Sequence, residues 1–170
     1  MASQFPHILW WCPQLPPSPK AAAALIADGT VHWPANRMAV IGSSLGGFYA
    51  TWLAALRGCK AALLNPAIDP ARDLAKYIGE QTAWHDPAER FYFAPEFVDE
   101  LRALDVGPLP HPERAWALIA KGDEVLDWRE MTVRYAGSQQ VVMEGGDHAI
   151  SNFDLYLPQL LEFLNLQPAP

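Results

Sequence analysis

The chain has 170 residues, and 51% of them are hydrophobic, which is enough for one well-filled core and too few for two comfortable domains. The acidic residues number 19 and the basic residues 12, so the net charge is -7, and no run of Lys and Arg occurs. This charge balance argues against a phosphate-backbone partner, which excludes nucleic-acid binding. Residues 1–170 are therefore predicted to form a single domain.

Membrane and metal signals are absent from the sequence. The longest run of small apolar residues, 21–27, is too short to cross a bilayer, and no positive charge precedes Lys20 to begin a signal peptide. Cys12 and Cys59 are not spaced as a metal or redox pair, and their apolar surroundings predict two small buried thiols. We expect a cytoplasmic protein with no membrane span, metal or cofactor.

Apolar runs alternate with helical patterns along the chain. The run at 38–41 is unbroken, which is typical of a strand buried on both faces. Strands that alternate with helices predict a parallel sheet covered on both faces. The predicted strands are residues 7–12, 38–41, 60–64, 115–120 and 140–143, and the predicted helices lie near residues 19–27, 45–56, 127–135 and 154–164.

Residues 38–48 run from an apolar strand through a Gly-x-Ser-x-Gly turn into a helix. This context predicts that Ser44 is a nucleophile. Gly42 and Gly46 flank it, and both are expected to lack a Cβ because the strained turn brings them into contact. Ser43 does not fit, because an isoleucine stands two positions before it. The alternative is a tight strand-to-helix connection without chemistry.

A serine hydroxyl becomes a nucleophile when a base takes its proton and N–H groups meet the oxyanion. Leu45 follows Ser44, so its N–H at the helix N-terminus is the expected oxyanion donor. His148 is the expected base, because it alone of the five histidines lies in a glycine-loosened loop at a strand's carboxyl end. The alternative for such a loop histidine is a solvated residue.

Four carboxylates near the last two predicted strands could orient His148. Asp127 is interpreted as an N-cap, with a capping-box glutamate three positions later. Asp147 is adjacent to His148, and neighbouring side chains in an extended loop point apart. Asp123, at the first turn after strand 115–120, is the preferred acid. Glu124 and Asp127 remain the alternatives.

The alternation of strands and helices lapses between Pro66 and Pro112, where prolines separate short helical pieces. We interpret residues 67–112 as a cap-like insertion over the carboxyl edge of the sheet, where ligands bind in open α/β folds. For any single aromatic residue here, simple packing is the alternative. As a set, the aromatic residues are expected to help form an apolar acyl pocket; they are Phe91, Tyr92, Phe93 and Phe97.

Five blocks of the sequence, in order along residues 8–166, resemble the YqiA/YcfP-like esterases, which are small bacterial α/β-hydrolases. The resemblance implies a three-layer α/β-hydrolase fold, with a mostly parallel sheet of about five strands, helices on both faces and a short helical cap. It also implies hydrolysis of a small carboxylic ester or acyl thioester, with Ser44 as nucleophile, Asp123 as acid and His148 as base. The blocks are PQLPP at 13–17, GSSLGGFYATWL at 42–53, NPA at 65–67, GDEVLD at 122–127 and GGDH at 145–148.

The family also begins with a strand that leads into a His-Gly-Phe loop of the oxyanion hole, and this sequence has no such segment. The missing strand predicts an empty strand position beside strand 38–41. Strand 7–12 could pair there, another chain could fill the slot, or Met1 could be an internal methionine of a longer product, which is the favoured explanation. The 170-residue chain is then expected to be a poor esterase.

Three functional classes are consistent with these residues. The favoured one is an esterase or thioesterase that acts through an acyl-serine. The others are a catalytically weak binding or scaffold member of the fold, and a cofactor-free perhydrolase or acyltransferase in which something other than water resolves the acyl-enzyme. Nucleotide chemistry is not expected, because neither a G-x-G-x-x-G nor a GK[ST] phosphate loop occurs.

Overall fold

A computed structural model of the chain describes residues 5–82, 88 and 90–166. The elements formed by these residues alternate between strand and helix over most of their length. The strands are β1 (Ala39–Ser43), β2 (Lys60–Leu64), β3 (Gly79–Thr82), β4 (Arg90–Phe93), β5 (Ala115–Ala120) and β6 (Gln139–Met143). The α-helices are α1 (Pro19–Thr30), α2 (Leu45–Arg57), α3 (Pro70–Leu74), α4 (Pro95–Leu104), α5 (Trp128–Arg134) and α6 (Leu157–Leu164).

The main sheet is parallel and has the order β1-β2-β5-β6. Every residue of β5 is buried, which explains why its sequence, AWALIA, is apolar without alternation. On one face, β2 and β5 pack against Met131 and Tyr135 from the α5 region. On the other face, they pack against Leu160 and Leu164 of α6. Helices on both faces confirm the predicted layering.

Local sequence signals set the ends of several helices. Ser18 caps α1 by accepting a hydrogen bond from the N–H of Ala21 at 3.1 Å, and a proline occupies the first helical position. Gly58 ends α2 in the left-handed conformation, with φ 68°, and its N–H donates to the carbonyl of Ala54. The predicted end of the helix near residues 45–56 is therefore confirmed.

The predicted first strand, residues 7–12, is wrong: this segment pairs with no strand of the main sheet. Leu9 is 73% exposed, and Cys12 is exposed as well, whereas Cys59 is buried as predicted. Trp11 instead packs on Trp33 with ring centroids 6.2 Å apart. The apolar run therefore stays largely exposed, and its Trp11 makes a ring contact in place of strand pairing.

Strand β1 is less enclosed than its apolar sequence predicts. Among the described residues it pairs only with β2, so its outer edge is free. Its alternate residues Ala39, Ile41 and Ser43 are exposed, and Ile41 retains 38% of its surface. The expectation of burial on both faces is therefore wrong for β1. Pairing of residues 7–12 with this edge is wrong as well, and occupation of the edge by a further strand stays a prediction.

The chain between β2 and β5 forms α3, the antiparallel pair β3–β4, and α4. Of the aromatic residues expected among short helical pieces, Phe91, Tyr92 and Phe93 belong instead to β4, and Phe97 lies in α4. Arg72 ties α3 to α5, because its guanidinium donates to both carboxylate oxygens of Glu130, each at 2.8 Å. Glu130 therefore does not complete the predicted capping box. None of the described helices has the length and apolar character that a membrane span requires.

We predict that Glu130 makes a pH-dependent contribution to stability. Its hydrogen bonds from Arg72 hold its pKa below the ordinary value, so the ionised form favours the folded state. This contribution is fully present above the unfolded pKa of about 4.3 and is lost as the pH falls through the lowered folded pKa. Glu130→Gln should lower Tm by at most about 4 °C at neutral pH, since both side chains are partly exposed.

Thermal melts of the wild type and Glu130→Gln at neutral and acidic pH test this prediction. The difference in Tm should shrink towards zero in acid. The matched variant Arg72→Gln and the double variant complete a cycle that isolates the pair. A difference that grows in acid, or a double variant whose loss equals the sum of the two single losses, would contradict it.

Candidate active site

Ser44 lies at the sharp turn between β1 and α2. Its backbone has φ 53° and ψ -124°, a conformation that residues with a Cβ rarely adopt and that costs about 1–3 kcal/mol. The N–H of Ser44 donates to the carbonyl of Leu64 at 3.0 Å. Its carbonyl accepts from the N–H groups of Gly47 at 2.9 Å and Ala67 at 3.0 Å. The end of β2 and the start of α2 thus hold the serine in its strained conformation.

The glycines of the turn differ in what they require. A Cβ on Gly42 would collide with the carbonyl oxygen of Gly46, so the expectation for Gly42 is confirmed. A Cβ on Gly46 would meet nothing within 4 Å, so the expectation for Gly46 is wrong. The second close approach belongs to Gly47, where a Cβ would lie 2.7 Å from the Cβ of Pro66.

Three predicted site residues lie together at the carboxyl edge of the sheet. Ser44 Oγ is 2.9 Å from His148 Nε2. His148 Nδ1 is 2.8 Å from Asp123 Oδ2 and 3.0 Å from Asp123 Oδ1. A carboxylate only accepts, so the network assigns the proton to Nδ1 and leaves Nε2 free to accept from the serine hydroxyl. The chain order Ser, Asp, His is that of α/β-hydrolase triads.

The acid is more deeply buried than the base. The Asp123 side chain is 0% exposed and the His148 side chain 21%. Asp123 Oδ1 also accepts from the N–H of Val125 at 2.8 Å and of Leu126 at 2.9 Å. These bonds compensate for the loss of water around the carboxylate and fix its orientation toward the imidazole.

The other three carboxylates make different contacts. Glu124 Oε2 accepts from the backbone N–H of His148 at 3.0 Å and does not meet the ring. The Asp147 carboxylate accepts hydrogen bonds from the hydroxyl and the backbone N–H of Ser151, and these bonds lower the pKa of Asp147. Asp127 caps α5 by accepting a hydrogen bond from the N–H of Arg129, and this bond lowers the pKa of Asp127. Among the described residues, no three His, Cys, Asp or Glu side chains cluster so as to hold a metal ion.

Leu45 is the first residue of α2, and the helix supplies no carbonyl for the N–H of a residue in its first turn. That N–H lies at the positive end of the helix dipole, immediately after Ser44. This is the place expected for an oxyanion donor, and the role of Leu45 stays a prediction.

Two glycine-lined loops bring Asp123 and His148 together. The N–H of Gly122 donates to the carbonyl of Gly145 at 2.9 Å, which extends the β5–β6 contact beyond the strands. A Cβ on Gly122 would lie 2.9 Å from the carbonyl carbon of Gly145 and would also collide with the oxygen of Gly146. Sequence reasoning noted the glycines beside His148 and overlooked Gly122, although it precedes Asp123 directly.

Asn65 is the site neighbour that sequence reasoning missed. It enters the sequence analysis only within the block NPA at 65–67, with no role assigned to it, yet it is 0% exposed and its side chain reaches the loop that carries His148. The available signal was an amide residue directly after a buried strand, at the same edge as the candidate triad.

The four aromatic residues of the expected acyl pocket do not share one surface. Phe93 is buried and stacks edge-on against Phe97, with ring centroids 5.5 Å apart. Phe91 packs partly against the same core cluster. Tyr92 alternates to the opposite face of β4 and is 58% exposed. Packing of the insertion accounts for the positions of the three phenylalanines, and a role in an acyl pocket stays a prediction.

The model of the uncharacterised protein family UPF0227 matches residues 1–165. The chain is similar to α/β hydrolase domain-containing protein 10 from mouse, with 16% identity and a TM-score of 0.63 over 86% of this chain and 70% of that chain. It is similar to Est1E from Butyrivibrio proteoclasticus, with 17% identity and a TM-score of 0.59 over 86% and 68% of the two chains. It is also similar to the Paleococcus ferrophilus monoacylglycerol lipase, with 16% identity and a TM-score of 0.58 over 86% and 75%. These similarities confirm the predicted α/β-hydrolase fold.

We predict that Ala substitutions separate the three glycines of the turn. Gly42→Ala and Gly47→Ala should each lower Tm by several degrees, because each added methyl group collides with backbone or with a ring held in place. Gly46→Ala, the matched control, should leave Tm unchanged or slightly higher, since alanine favours a helix over glycine. Differential scanning calorimetry of the three variants gives the comparison. A loss at Gly46 as large as the loss at Gly42 would contradict the steric explanation.

Proposed function

The chain belongs to the UPF0227 family, the YqiA/YcfP family, and on that premise we propose that it is a serine hydrolase that cleaves carboxylic esters or acyl thioesters. The hydrogen-bonded series from Ser44 through His148 to Asp123 is the observation that carries the proposal. Nucleophilic catalysis needs a serine, a base that can take its proton and an acid that orients the base. Here the serine lies at a strained strand-to-helix turn, the base is 2.9 Å from its hydroxyl, and the buried acid contacts the far side of the base.

The first half of the reaction makes an acyl-serine. His148 Nε2 takes the proton of Ser44 Oγ as that oxygen attacks the carbonyl carbon of the substrate. The oxyanion that forms accepts a hydrogen bond from the N–H of Leu45. The imidazolium then gives its proton to the departing alkoxide or thiolate, and the acyl group stays on Ser44.

The second half releases the acid. His148 takes a proton from water, which attacks the acyl-serine carbonyl, and the returning proton restores Ser44 Oγ. Asp123 stays ionised throughout, holds the proton on Nδ1 and stabilises the imidazolium in both halves. The burial of its side chain strengthens this interaction, because little water screens the carboxylate.

The substrate in this proposal is a small molecule that carries an acyl group. One of the structures similar to this chain is named a monoacylglycerol lipase, and lipases cleave esters. We propose that residues 67–112 act as a cap within the single domain 1–170, and that Phe91, Phe93 and Phe97 contribute apolar surface for the acyl chain. The exposure of Tyr92 on the other face of β4 limits it to a peripheral role.

We predict that a fluorophosphonate probe labels the protein at Ser44. Ser44→Ala should abolish labelling and lower kcat on the order of 10⁴-fold or more, because the nucleophile is removed. Ser43→Ala is the matched control and should label normally, since Ser43 ends β1 and no contact ties it to His148 among the described residues. Labelling and turnover of p-nitrophenyl esters of graded chain length, beside acyl-CoA thioesters, provide the readouts. Labelling that persists in Ser44→Ala would overturn the assignment, and absence of labelling and turnover in the wild type would favour a binding or scaffold role.

We predict that Asp123→Asn lowers kcat on the order of 10³- to 10⁴-fold while the fold stays intact, because the amide favours the wrong imidazole tautomer. Asp127→Ala should instead lower Tm by a few degrees and leave kcat within about twofold, because it removes only the N-cap of α5. Steady-state kinetics and thermal melts of both variants distinguish the two roles. Loss of turnover in Asp127→Ala at normal stability, with Asp123→Asn active, would show that the wrong carboxylate was chosen.

A further inference from the structure

We propose that Asn65 is a positioning residue: its buried amide holds the loop that carries His148 at the distance from Ser44 that proton transfer requires. The inference rests on the proposed function, because it names what sets the geometry of that same site. Asn65 does not touch the reacting atoms and acts through the backbone of His148.

The side chain of Asn65 joins two loops. Its Nδ2 donates to the carbonyl of Asp147 at 3.0 Å and to the carbonyl of His148 at 3.1 Å. Its Oδ1 accepts from the N–H of Ala120 at 2.8 Å. Both amide protons and the oxygen are thus engaged, which also fixes which end of the amide faces which loop.

The backbone of Asn65 ties the same residue to the sheet. Its N–H donates to the carbonyl of Leu118 at 2.9 Å, and its φ of 40° places it in the left-handed region, which asparagine tolerates better than most residues. The carbonyl of the preceding residue, Leu64, accepts a hydrogen bond from the N–H of Ser44 at 3.0 Å. The residue that holds Ser44, Leu64, and the residue that holds the His148 loop, Asn65, are therefore neighbours in the chain.

The His148 loop needs such an anchor. Between β6 and His148 lie Gly145 and Gly146, with φ values of 76° and 82°, so the loop's own sequence restricts its backbone weakly. Glu124 holds the N–H of His148 from the exposed side, where water competes for the bond. Asn65, which is itself 0% exposed, holds the carbonyl of the same residue from the interior, where water competes less, so it provides the firmer restraint.

Two substitutions at this position test the proposal. Asn65→Gly removes the side chain while keeping the left-handed backbone accessible, and Asn65→Asp keeps the shape but places an acceptor against the carbonyls of the loop. We expect Asn65→Gly to lower kcat on the order of 10- to 100-fold with KM changed less than about threefold, because the base is misplaced rather than the substrate. Asn65→Asp should show a loss of the same kind that is at least as large, because a buried carboxylate oxygen would face the two loop carbonyls without a donor.

Tyr135→Phe is the matched control for buried hydrogen bonds in general. Tyr135 is buried, and its hydroxyl lies 2.9 Å from Thr51 Oγ1, within the interior and apart from the His148 loop. Its loss should lower Tm and leave kcat within about twofold. A kcat that falls as much in Tyr135→Phe as in Asn65→Gly would overturn the proposal, because general destabilisation would then explain both losses.

A second readout does not depend on activity. The Nδ1 proton of His148, bonded to the Asp123 carboxylate, gives a proton resonance far downfield of the amide region. We expect this signal in the wild type and in Tyr135→Phe, and expect it to be broadened or lost in a folded Asn65→Gly. If the wild type lacks esterase activity and probe labelling, the proposed function fails while this signal still tests Asn65.

An unchanged signal and unchanged kcat in a folded Asn65→Gly or Asn65→Asp would overturn the proposal. Failure of both variants to fold would overturn it too, since Asn65 would then be a folding residue.

Discussion

The strained backbone of Ser44 is the constraint on which the rest of the site depends. It persists because β2 and α2 supply hydrogen bonds to both sides of the residue, and because Gly42 and Gly47 leave room for the close approach of the turn. The carboxyl ends of β5 and β6 then bring Asp123 and His148 to the same edge of the sheet. The site is thus assembled by three of the four parallel strands, β1, β5 and β6, each of which leads to one member of the series.

Much of this arrangement follows from short-range sequence signals. The G-x-S-x-G turn, the buried strand AWALIA and the glycines before His148 each carry information within a few residues, and the predicted positions of Ser44, Asp123 and His148 meet in the structure. The choice between Asp123 and Glu124 also followed from local reasoning about where a loop leaves its strand. Such features are predictable because the backbone itself imposes them.

Features that depend on distant partners were not predictable in the same way. The apolar run at 7–12 predicted a buried strand, yet its sequence could not say that no strand of the main sheet would pair with it and that Trp11 would pack on Trp33. Glu130 fits a capping box by spacing, and only the position of Arg72 on another helix diverts it. Gly46 and Gly47 are adjacent and alike in sequence, and the location of Pro66 decides which of them must lack a side chain.

The free edge of β1 divides the site between regions of unequal local stability. β5, enclosed on both sides and both faces, should open only with global unfolding, so the amides that lead to Asp123 belong to the slowest-exchanging part of the chain. β1 is bonded on one side only among the described residues, and its amides can exchange through local fraying. The proposed nucleophile therefore follows the strand of lower local stability, and the proposed acid follows the strand of highest local stability. Partial opening of the chain at β1 would disrupt the proposed active site well before the core unfolds.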